Sequence, residues 1–572
     1  MQDTALNRRS FLKGAAAGGA AGLVATRAAF AETAPGSGNG NTSAGSSLED
    51  VEELDTNWRT PMEAVDESQI VDSQQADIVV IGAGHAGTAV ARRAAEGGKN
   101  VILVEAQAED AYFIIGNDIG HINSNYLKEA GVPEVDPLEL YTNWMVRCQN
   151  AAHPDLIMQF VQNCGAAVDW FLEGVDQEYL DTMTISYWPR NEHMLDEIAG
   201  QKFWTGTVQW GMGNEHSMTE VYNGIFAHLK KDLTNLQIVF DRTGCYLEKD
   251  ETGRVSGVVC VDSDGAYHRF GGTEAVVLAA GDFGANKAMM TDLCVTTEDV
   301  FQEGLTDWHD PFGAKDGSGI KMGVWAGGRL EPRPLASMNG DFVIPSMNTG
   351  VGIYLNYKGE RFCDEYFGDP TWTGKPAARI KQTVYYALFD SKLPETDAYS
   401  VSGHTCTDPQ PATLAAKQDE IDAAYAAGAE GVNGTYAADD WETLADYMGM
   451  DEEAKANMLA AVERYNEMCA NGRDEDYAKD SRVLFALDTP PYVGVVAGPD
   501  HVGGVMVTLG GLMTDKHCNV IDVAMDPIPG LYAAGNCLGQ RFGTAYFSPI
   551  PGVSIGCALT LGYVLGDYLA QA

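Results

Sequence analysis

Three glycines in the segment GAGHAG, together with a carboxylate further along the chain, form the clearest chemical pattern in the sequence. Gly82, Gly84 and Gly87 make up a G-x-G-x-x-G motif, and Glu105 ends the apolar run NVILV that follows it. Glycines at this spacing let bare backbone N–H groups approach a pyrophosphate at a helix N-terminus, while the carboxylate accepts hydrogen bonds from an adenosine ribose. The pattern predicts a dinucleotide site; the alternative is a glycine turn that serves packing alone.

The segments around this motif predict the elements that position it. Residues 76–81 (ADIVVI) read as a strand, the Ala-rich stretch after the glycines as a helix, and NVILV as a second strand, which makes a βαβ unit of about thirty residues. The later runs QIVFD, VSGVVCVD, EAVVLAAG and GLYAAGN predict further strands. Between about 330 and 488 the composition changes to long segments rich in Ala and acidic residues, which predict helices. In one of them Met458, Val462 and Tyr465 recur at helical spacing before Gly472. We therefore expect a second domain inserted into the first.

The first residues predict an export signal. Arg8 and Arg9 precede an Ala/Gly-rich apolar stretch and a small-residue site at 29–31 (AFA), which is typical of a twin-arginine signal over residues 1–31. We expect export by that route to the periplasm or the outer face of the cell envelope, with a tightly held cofactor because the route carries folded proteins. Residues 32–75 are rich in Gly, Ser, Thr, Asn and acids, and predict a flexible linker.

The composition and net charge of the chain exclude some classes of binding partner. The chain has 572 residues, with 37 Lys and Arg against 81 Asp and Glu and a formal net charge of -44, so it repels nucleic acid and anionic lipid. The acidic surface favours solubility, with a docking face for a basic redox partner as the alternative. No uninterrupted apolar run reaches the ~18 residues of a transmembrane helix. The 11 Cys include neither C-x-x-C nor C-x-x-C-H, so we expect no c-type haem, no iron–sulfur cluster and no metal.

The chain resembles the flavoprotein family of soluble fumarate reductases, succinate dehydrogenase flavoprotein subunits, urocanate reductases and 3-ketosteroid dehydrogenases. The matching stretches run in family order from about 76 to 570 and include VVIGAGHAG, VVLAAGDFG, DGSGIKMG, LNYKGERFCDE, TLGGLMTD and IPGLYAAGN. The resemblance implies an α/β fold with a glutathione-reductase-like FAD-binding domain (76–330 and 489–572) and an inserted α+β capping domain (331–488). It also implies that FAD is bound non-covalently, since we identify no His or Cys in the family's attachment setting, and that the substrate lies between the domains.

By position in the family motifs, the resemblance implies a set of FAD contacts spread along the chain. They are Gly82, Gly84, Gly87, Glu105, Ala106, Asn117, Gly120, Ala280, Gly281, Asn536, Ser554 and Ile555. Ser318 holds the place of a family Asp, with Asp316 nearby, and is assigned to the same set. Asn536 stands where a Glu is common, which keeps a hydrogen bond but removes a charge. The N-terminus of the last helix is expected to favour negative charge at the flavin edge.

The predicted substrate site departs from the fumarate reductase pattern. Glu365 belongs to the segment G-x-R-F-x-x-E, but Asp369 holds the place of the proton-donating Arg of that family. The family's His before T-M-G-G is replaced around Met506 and Val507, and its Arg clamp falls near residues 549–550. A dianionic substrate would lose charge-assisted hydrogen bonds worth ~1.5–3 kcal/mol each, so fumarate is not the expected substrate.

The segment GTAYFSPIPGVSIG resembles the approach to the last helix in ketosteroid dehydrogenases. There a Tyr and a backbone N–H polarise a carbonyl while the flavin N5 exchanges hydride with the β carbon. The resemblance makes Tyr546 the predicted acid, with His121 and Arg333 as lesser candidates. Each has a structural alternative: Tyr546 as a pocket wall, His121 as a hydrogen-bonded scaffold residue, and Arg333 as an ion-pair partner.

These features predict an exported FAD-dependent oxidoreductase that acts on CH–CH or C=C bonds. The leading hypothesis is reduction of an activated double bond in a small enone, aromatic acrylate or steroid-like substrate. The first alternative is a dehydrogenase that introduces a double bond beside a carbonyl, and the second is a flavin electron carrier with no substrate of its own. We find no haem motif, no D-x-G-A-T site for covalent FMN and no second G-x-G-x-x-G. The electrons are therefore expected from a separate protein, a membrane multihaem cytochrome or a flavoprotein.

Overall fold

The fold is described from a computed structural model. It describes residues 57–187, 197–294 except 199, 201, 205 and 212–214, then 315–339, 351–366, 384–399 except 397 and 398, 411–497 and 505–571. The predicted signal and most of the predicted linker lie outside these residues, as does Asp369.

The described strands and helices are numbered here in chain order. The strands are β1 Ile70–Ile81, β2 Val101–Val104, β3 Asp118–Gly120, β4 Thr184–Ser186, β5 Thr207–Gln209, β6 Leu236–Val239, β7 Thr243–Lys249, β8 Val255–Val261, β9 Tyr267–Leu278, β10 Ser337–Asn339, β11 Ile353–Leu355, β12 Tyr385–Asp390, β13 Thr435–Ala438, β14 Tyr492–Ala497, β15 Val505–Thr508, β16 Asn519–Ile521 and β17 Pro527–Ala533. The α-helices are α1 His85–Glu96, α2 Asn125–Glu129, α3 Pro137–Arg147, α4 Pro154–Leu172, α5 Gln177–Leu180, α6 Met218–Asp232, α7 Lys287–Leu293, α8 Ser318–Trp325, α9 Leu393–Thr396, α10 Pro411–Ala427, α11 Trp441–Tyr447, α12 Glu452–Asn471 and α13 Val553–Gln571.

The largest sheet is built on parallel strands whose apolar residues are buried on both faces. Its order is β16–β17–β9–β1–β2–β6, and β7 and β8 join it at β9. β1 pairs in parallel with β2 and β9, β9 with β17, and β2 with β6. Residues 78–81 of β1 and all of β2 are buried, because helices cover both faces of such a sheet. The predicted βαβ unit is confirmed.

The first strand begins earlier than the sequence predicts. Residues 70–75 were assigned to the flexible linker, but they continue β1 and pair in parallel with Tyr267–Gly271 of β9. Residues 71–73 are exposed, so this stretch lacks the apolar signal of a core strand. This stretch forms a strand because it makes backbone hydrogen bonds with β9, which is distant in sequence.

The last helix, α13, is long and apolar enough by composition to cross a membrane, with a mean hydropathy of 1.4 over its most apolar window. In the fold it packs against α1 and α4, and 61% of that window is buried inside the protein. Its apolar character is therefore used within the core.

The strands β11–β12–β14–β13 form a separate four-stranded antiparallel sheet. Two apolar clusters belong to this part of the chain, one of them on α12 around Met458, Val462 and Tyr465. Asp451 caps α12 by accepting the Ala454 N–H, and Gly472 ends it in a left-handed conformation, as the sequence predicts. β14 extends this sheet to Ala497, past the predicted boundary at 488, because its pairing partners β12 and β13 lie in the inserted segment.

Candidate active site

Four parallel strands end side by side at one edge of the main sheet. Ile81 is in register with Val104 and Leu278, and Leu278 with Ala533. The motif glycines follow Ile81, Glu105 follows Val104, Ala280 and Gly281 follow Leu278, and Asn536 follows Ala533. The carboxyl edge of a parallel sheet is where open α/β folds bind their ligands. The fold thus brings together predicted contacts that lie far apart in the sequence.

The three motif glycines have different steric environments. Gly82 has φ +104°, and a Cβ there would lie 2.4 Å from the Ala279 carbonyl oxygen. A Cβ at Gly87 would lie 1.8 Å from the Gly82 carbonyl oxygen, so the strand and α1 approach too closely for a side chain. A Cβ at Gly84, the N-cap of α1, would meet nothing within 4 Å. This open space beside the helix N-terminus fits a pyrophosphate.

Glu105 is held against the glycine loop. One carboxylate oxygen accepts the Ala83 N–H at 2.8 Å and the other accepts the Gln107 N–H at 2.9 Å. The Gln107 side-chain amide also donates to that second oxygen, at 3.1 Å, so one of the carboxylate's about four acceptor positions remains for a ribose hydroxyl. Ala106, which follows it, is exposed. This arrangement fits the adenosine end of FAD.

The start of α13 and β3, which carries Gly120, approach each other closely through glycines. The Gly120 N–H donates to the Gly552 carbonyl at 2.9 Å, and a Cβ at Gly556 would lie 1.8 Å from the Gly120 carbonyl oxygen. Ser554 and Ile555, in the first turn of α13, are half-buried between buried neighbours. The first turn of this helix therefore keeps part of its surface exposed.

The turn after β9 is fixed by a buried carboxylate. Asp282 accepts the backbone N–H groups of Gly284, Lys315 and Thr508, and burial raises its pKa. The Cys537 thiol donates to the Gly281 carbonyl, which joins this turn to the end of β17.

Nine of the predicted contacts are half-buried, whereas Gly87, Glu105 and Gly120 are buried and Ala106 is exposed. The nine are Gly82, Gly84, Asn117, Ala280, Gly281, Ser318, Asn536, Ser554 and Ile555. At Ser318, the first residue of α8, the backbone N–H donates to the Asp316 carboxylate at 3.0 Å, and Gly317 between them is the N-cap. The residues present fit FAD along the carboxyl edge of the parallel strands.

The three predicted acids lie in different surroundings. Tyr546 is fully buried in an apolar cluster, with its ring centroid 4.9 Å from that of Phe542 and nearly perpendicular to it. The same cluster contains Ile550 and Val553, which lead into α13. Tyr546 therefore shares an apolar cluster with the residues that lead into α13.

His121 is buried and hydrogen-bonded through both ring nitrogens. Its Nδ1 lies 2.8 Å from the Ile119 carbonyl oxygen and its Nε2 2.7 Å from the Ser124 hydroxyl. The Nδ1–H must donate to the carbonyl, so Nε2 accepts from the hydroxyl. Burial lowers the pKa of His121 to about 4, so its ring is neutral near pH 7. These contacts correspond to the scaffold alternative.

Arg333 lies at the surface, where 58% of its side chain is exposed. Its guanidinium pairs with the Asp292 carboxylate and donates to the Asp292 carbonyl at 2.9 Å. These contacts correspond to the ion-pair alternative, and the structure does not join Arg333 to the cluster around Tyr546.

Glu365, from the segment that departs from the fumarate reductase pattern, belongs to a buried charge network. Arg361 binds it through two hydrogen bonds of 2.8 and 2.9 Å, and Lys479 lies 3.2 Å away. Burial opposes ionisation of Glu365, yet Lys479 and Arg361 hold its pKa below the ordinary value. Asp474 completes the network by pairing with Arg361 at 2.8 Å. This network stabilises the part of the chain that carries the second sheet.

Sequence reasoning missed two buried ionisable residues near the end of β17. Arg541 is fully buried and donates to the Asn536 side-chain oxygen at 2.8 Å. Glu331 accepts the backbone N–H groups of Gly511 and Gln540, and burial raises its pKa to about 7. One signal was available for Arg541, because it is the single charged residue between Asp526 and Asp567. In the described part of the chain, no group of three or more His, Cys, Asp or Glu could hold a metal ion.

Comparison with known proteins agrees with this geometry. The family model described as "FAD binding domain" matches residues 77–554, and that of the twin-arginine translocation pathway signal sequence matches residues 5–25. The chain is a FAD-dependent oxidoreductase and belongs to this FAD-binding family. It carries a twin-arginine signal, which supports export.

The chain is similar to several characterised enzymes and structures. It is 25% identical over 522 residues to the vinyl phenol reductase of Lactiplantibacillus plantarum, covering 86% of this chain and 96% of the relative. It is 25% identical over 535 residues to the urocanate reductase of Eggerthella lenta, covering 89% and 76%. The crystal structure of 3-ketosteroid-Δ4-(5α)-dehydrogenase from Rhodococcus jostii RHA1 superposes with a TM-score of 0.65 at 22% identity, covering 90% of this chain and 100% of that one. The last likeness supports the α/β fold.

Proposed function

We propose that this protein reduces an activated carbon–carbon double bond in a small organic substrate. The observation that carries this proposal is that Tyr546 is buried in an apolar cluster that includes Val553 of the first turn of α13. That turn contacts Gly120, a predicted FAD contact, which supports a phenol near the flavin edge. Relatives named for reduction of vinyl phenol and urocanate support the same reaction class.

In this proposal each part of the site has a separate task. The glycine loop, Glu105 and the first turn of α13 would hold FAD, which when bound and reduced would provide hydride-transfer chemistry at the substrate double bond. The positive end of α13 stabilises negative charge at the flavin edge. Tyr546 donates a hydrogen bond to the substrate carbonyl and shares its proton as charge develops there. The surrounding apolar side chains keep water away, which strengthens that interaction.

We further propose that the capping domain predicted over residues 331–488 is a lid over this edge of the main sheet, and that the described residues 351–366, 384–396 and 411–497 belong to it. This part has its own sheet and its own apolar clusters. It meets the segment around Phe203 through Tyr366 and Val483, and Arg482 pairs with Glu197 at 2.5 Å. A lid of this kind closes over bound substrate and excludes water.

The source of the electrons and the location of the protein are the last parts of the proposal. The signal directs the folded protein out of the cytoplasm, so a separate redox protein at the cell envelope, a multihaem cytochrome or a flavoprotein, is the proposed donor. The acidic net charge of -44 favours a donor with a basic docking face.

Single-turnover reoxidation of the flavin tests this function. The holoenzyme is reduced anaerobically with dithionite and mixed with enones, cinnamates and steroids, while flavin absorbance is followed. We expect at least one activated alkene to reoxidise the flavin and to be recovered as the saturated product. A flavin that responds to none of them would contradict the proposal and favour the electron-carrier alternative.

The dehydrogenase direction is the second candidate, because the superposed Rhodococcus jostii structure is that of a dehydrogenase. Its test uses the oxidised holoenzyme, saturated ketones and an artificial electron acceptor. A faster rate in this direction than in alkene reduction would reverse the assignment.

A further inference from the structure

His85 is the one ionisable residue inside the GAGHAG motif, and it is the first residue of α1. It is half-buried and follows Gly84, where an added Cβ would meet nothing within 4 Å. His85 therefore lies next to the space assigned to the pyrophosphate. The glycine pattern does not require an imidazole at this position, so the contacts of His85 indicate its task.

Both ring nitrogens of His85 have a defined partner. Nε2 lies 3.0 Å from the Ile115 carbonyl oxygen, and Nδ1 lies 2.8 Å from the Tyr222 hydroxyl oxygen. A carbonyl oxygen only accepts, so the Nε2–H donates to Ile115. Burial lowers the pKa of His85 to about 4, so the ring is neutral near pH 7 and Nδ1 accepts a hydrogen bond from the Tyr222 hydroxyl. Tyr222, which is buried on α6, thereby fixes the tautomer that donates to Ile115.

Two successive residues of the segment between β2 and β3 are anchored to other elements. The Ile114 N–H donates to the Thr219 hydroxyl of α6 at 3.3 Å, and His85 holds the Ile115 carbonyl. Ile114 is buried, whereas residues 115–118 are half-buried. The chain therefore becomes partly exposed at the residue that His85 holds.

The hydrogen bond from His85 fixes the direction of the peptide between Ile115 and Gly116. That peptide is trans, so its N–H points opposite to its carbonyl and away from the imidazole. The Gly116 N–H has no hydrogen-bond partner among the described residues. An added Cβ at Gly116 would lie 2.1 Å from the Cδ1 of Ile555. Ile555 and Asn117, the residue after Gly116, are both predicted FAD contacts, so the peptide lies between two of them.

We propose that His85 is a positioning residue that keeps the Ile115–Gly116 peptide turned with its N–H toward bound FAD, and that it thereby stabilises the reduced flavin. Reduction adds electron density to the flavin ring, so a backbone N–H beside the ring favours the reduced form over the oxidised form. Without the His85 donor, the peptide can rotate and present its carbonyl oxygen, which repels that electron density. This role concerns the cofactor and holds for any substrate and either direction of reaction.

The midpoint potential of the flavin tests this role and is measured by anaerobic equilibration of the holoenzyme with a reference dye. His85→Leu removes the donor and keeps a side chain of similar size. We expect its affinity for reduced FAD, relative to oxidised FAD, to fall about tenfold, which is the effect of one hydrogen bond and lowers the two-electron potential by about 30 mV. His85→Gln keeps an N–H donor near the Nε2 position, so its potential should lie within about 9 mV of the parent, a ~2-fold change.

Thr219→Val is the matched control, because it removes the neighbouring anchor at Ile114 and leaves the Ile115 carbonyl bonded to His85. It should lower the urea midpoint of the apoprotein and leave the affinity ratio of reduced to oxidised FAD within ~2-fold of the parent. If His85→Leu does not fold, His85→Asn replaces it. The Asn amide is one methylene shorter than that of Gln and does not reach the Ile115 carbonyl, so the potential should fall by the same amount as expected for Leu.

Several outcomes would overturn the inference. A His85→Leu holoenzyme with the potential of the parent would make His85 a packing residue, and so would an equal loss of affinity for oxidised and reduced FAD. A potential of His85→Gln as low as that of His85→Leu, or an equal fall in Thr219→Val, would exclude the direction of this peptide as the cause. Because these measurements report on the bound flavin without substrate, failure of the alkene reduction test leaves their result standing, and the reverse also holds.

Discussion

Replacing Gly84 with alanine separates cofactor binding from folding. The added Cβ would meet nothing within 4 Å, and the backbone at φ -74° and ψ -172° suits any residue, so the apoprotein loses less than about 1 kcal/mol, mainly from a poorer N-cap. The methyl group would occupy the space assigned to the pyrophosphate. Loss of one N–H bond to a phosphate oxygen costs ~1.5–3 kcal/mol, which raises the FAD dissociation constant by about 10–150-fold.

The assay titrates FAD into apoprotein and follows quenching of flavin fluorescence, alongside urea unfolding of the apoprotein. Gly87→Ala is the matched control, because its Cβ would lie 1.8 Å from the Gly82 carbonyl oxygen and must displace backbone. This variant should unfold at clearly lower urea. A FAD affinity of Gly84→Ala within ~3-fold of the parent would refute the pyrophosphate placement. Equal urea midpoints for Gly87→Ala and the parent would refute the packing argument.

The remaining predictions concern three side chains and the cofactor linkage. Glu105→Ala should lower FAD occupancy, because it removes the acceptor of the Ala83 N–H and of the ribose, while the substrate preference of the remaining holoenzyme is unchanged; a changed preference at full occupancy would contradict the assignment. Tyr546→Phe should keep FAD and substrate binding but slow single-turnover reoxidation by at least ~100-fold, and a rate within a few fold of the parent would make Tyr546 a pocket wall. Folding lowers the pKa of His121 from 6.5 to about 4, so between these pH values the unfolded chain binds more protons than the folded one. The contribution of neutral His121 to the free energy of unfolding is therefore complete above pH 6.5 and is lost, by ~3 kcal/mol, as pH falls to 4. Urea unfolding at several pH values should show this loss, and His121→Gln should remove it from the pH dependence. Acid precipitation should release all the yellow colour, and colour left on the pellet would show a covalent flavin.

The βαβ unit and the helix α12 could be predicted from the sequence because local residue patterns specify them. The run ADIVVI, the glycines after it and the apolar run ending at Glu105 specify strand, turn and helix through contacts between near neighbours. The helix α12 was equally clear from its helical spacing of apolar residues and from Gly472 at its end. The start of β1 and the placement of β14 were missed, because both depend on pairing with strands distant in sequence.

The candidate site also has features that the sequence determines and features that only the tertiary structure decides. Sequence by itself determined that this protein carries a twin-arginine signal and belongs to a FAD-binding family, because the signal and the motif turns are local and demand particular residues. Only the tertiary structure decided that Arg333 pairs with Asp292 at the surface, that His121 is neutral and hydrogen-bonded on both sides, and that Arg541 is a buried cation beside Asn536. Burial and partner choice are set by segments that meet through the sheet, so no local pattern reports them.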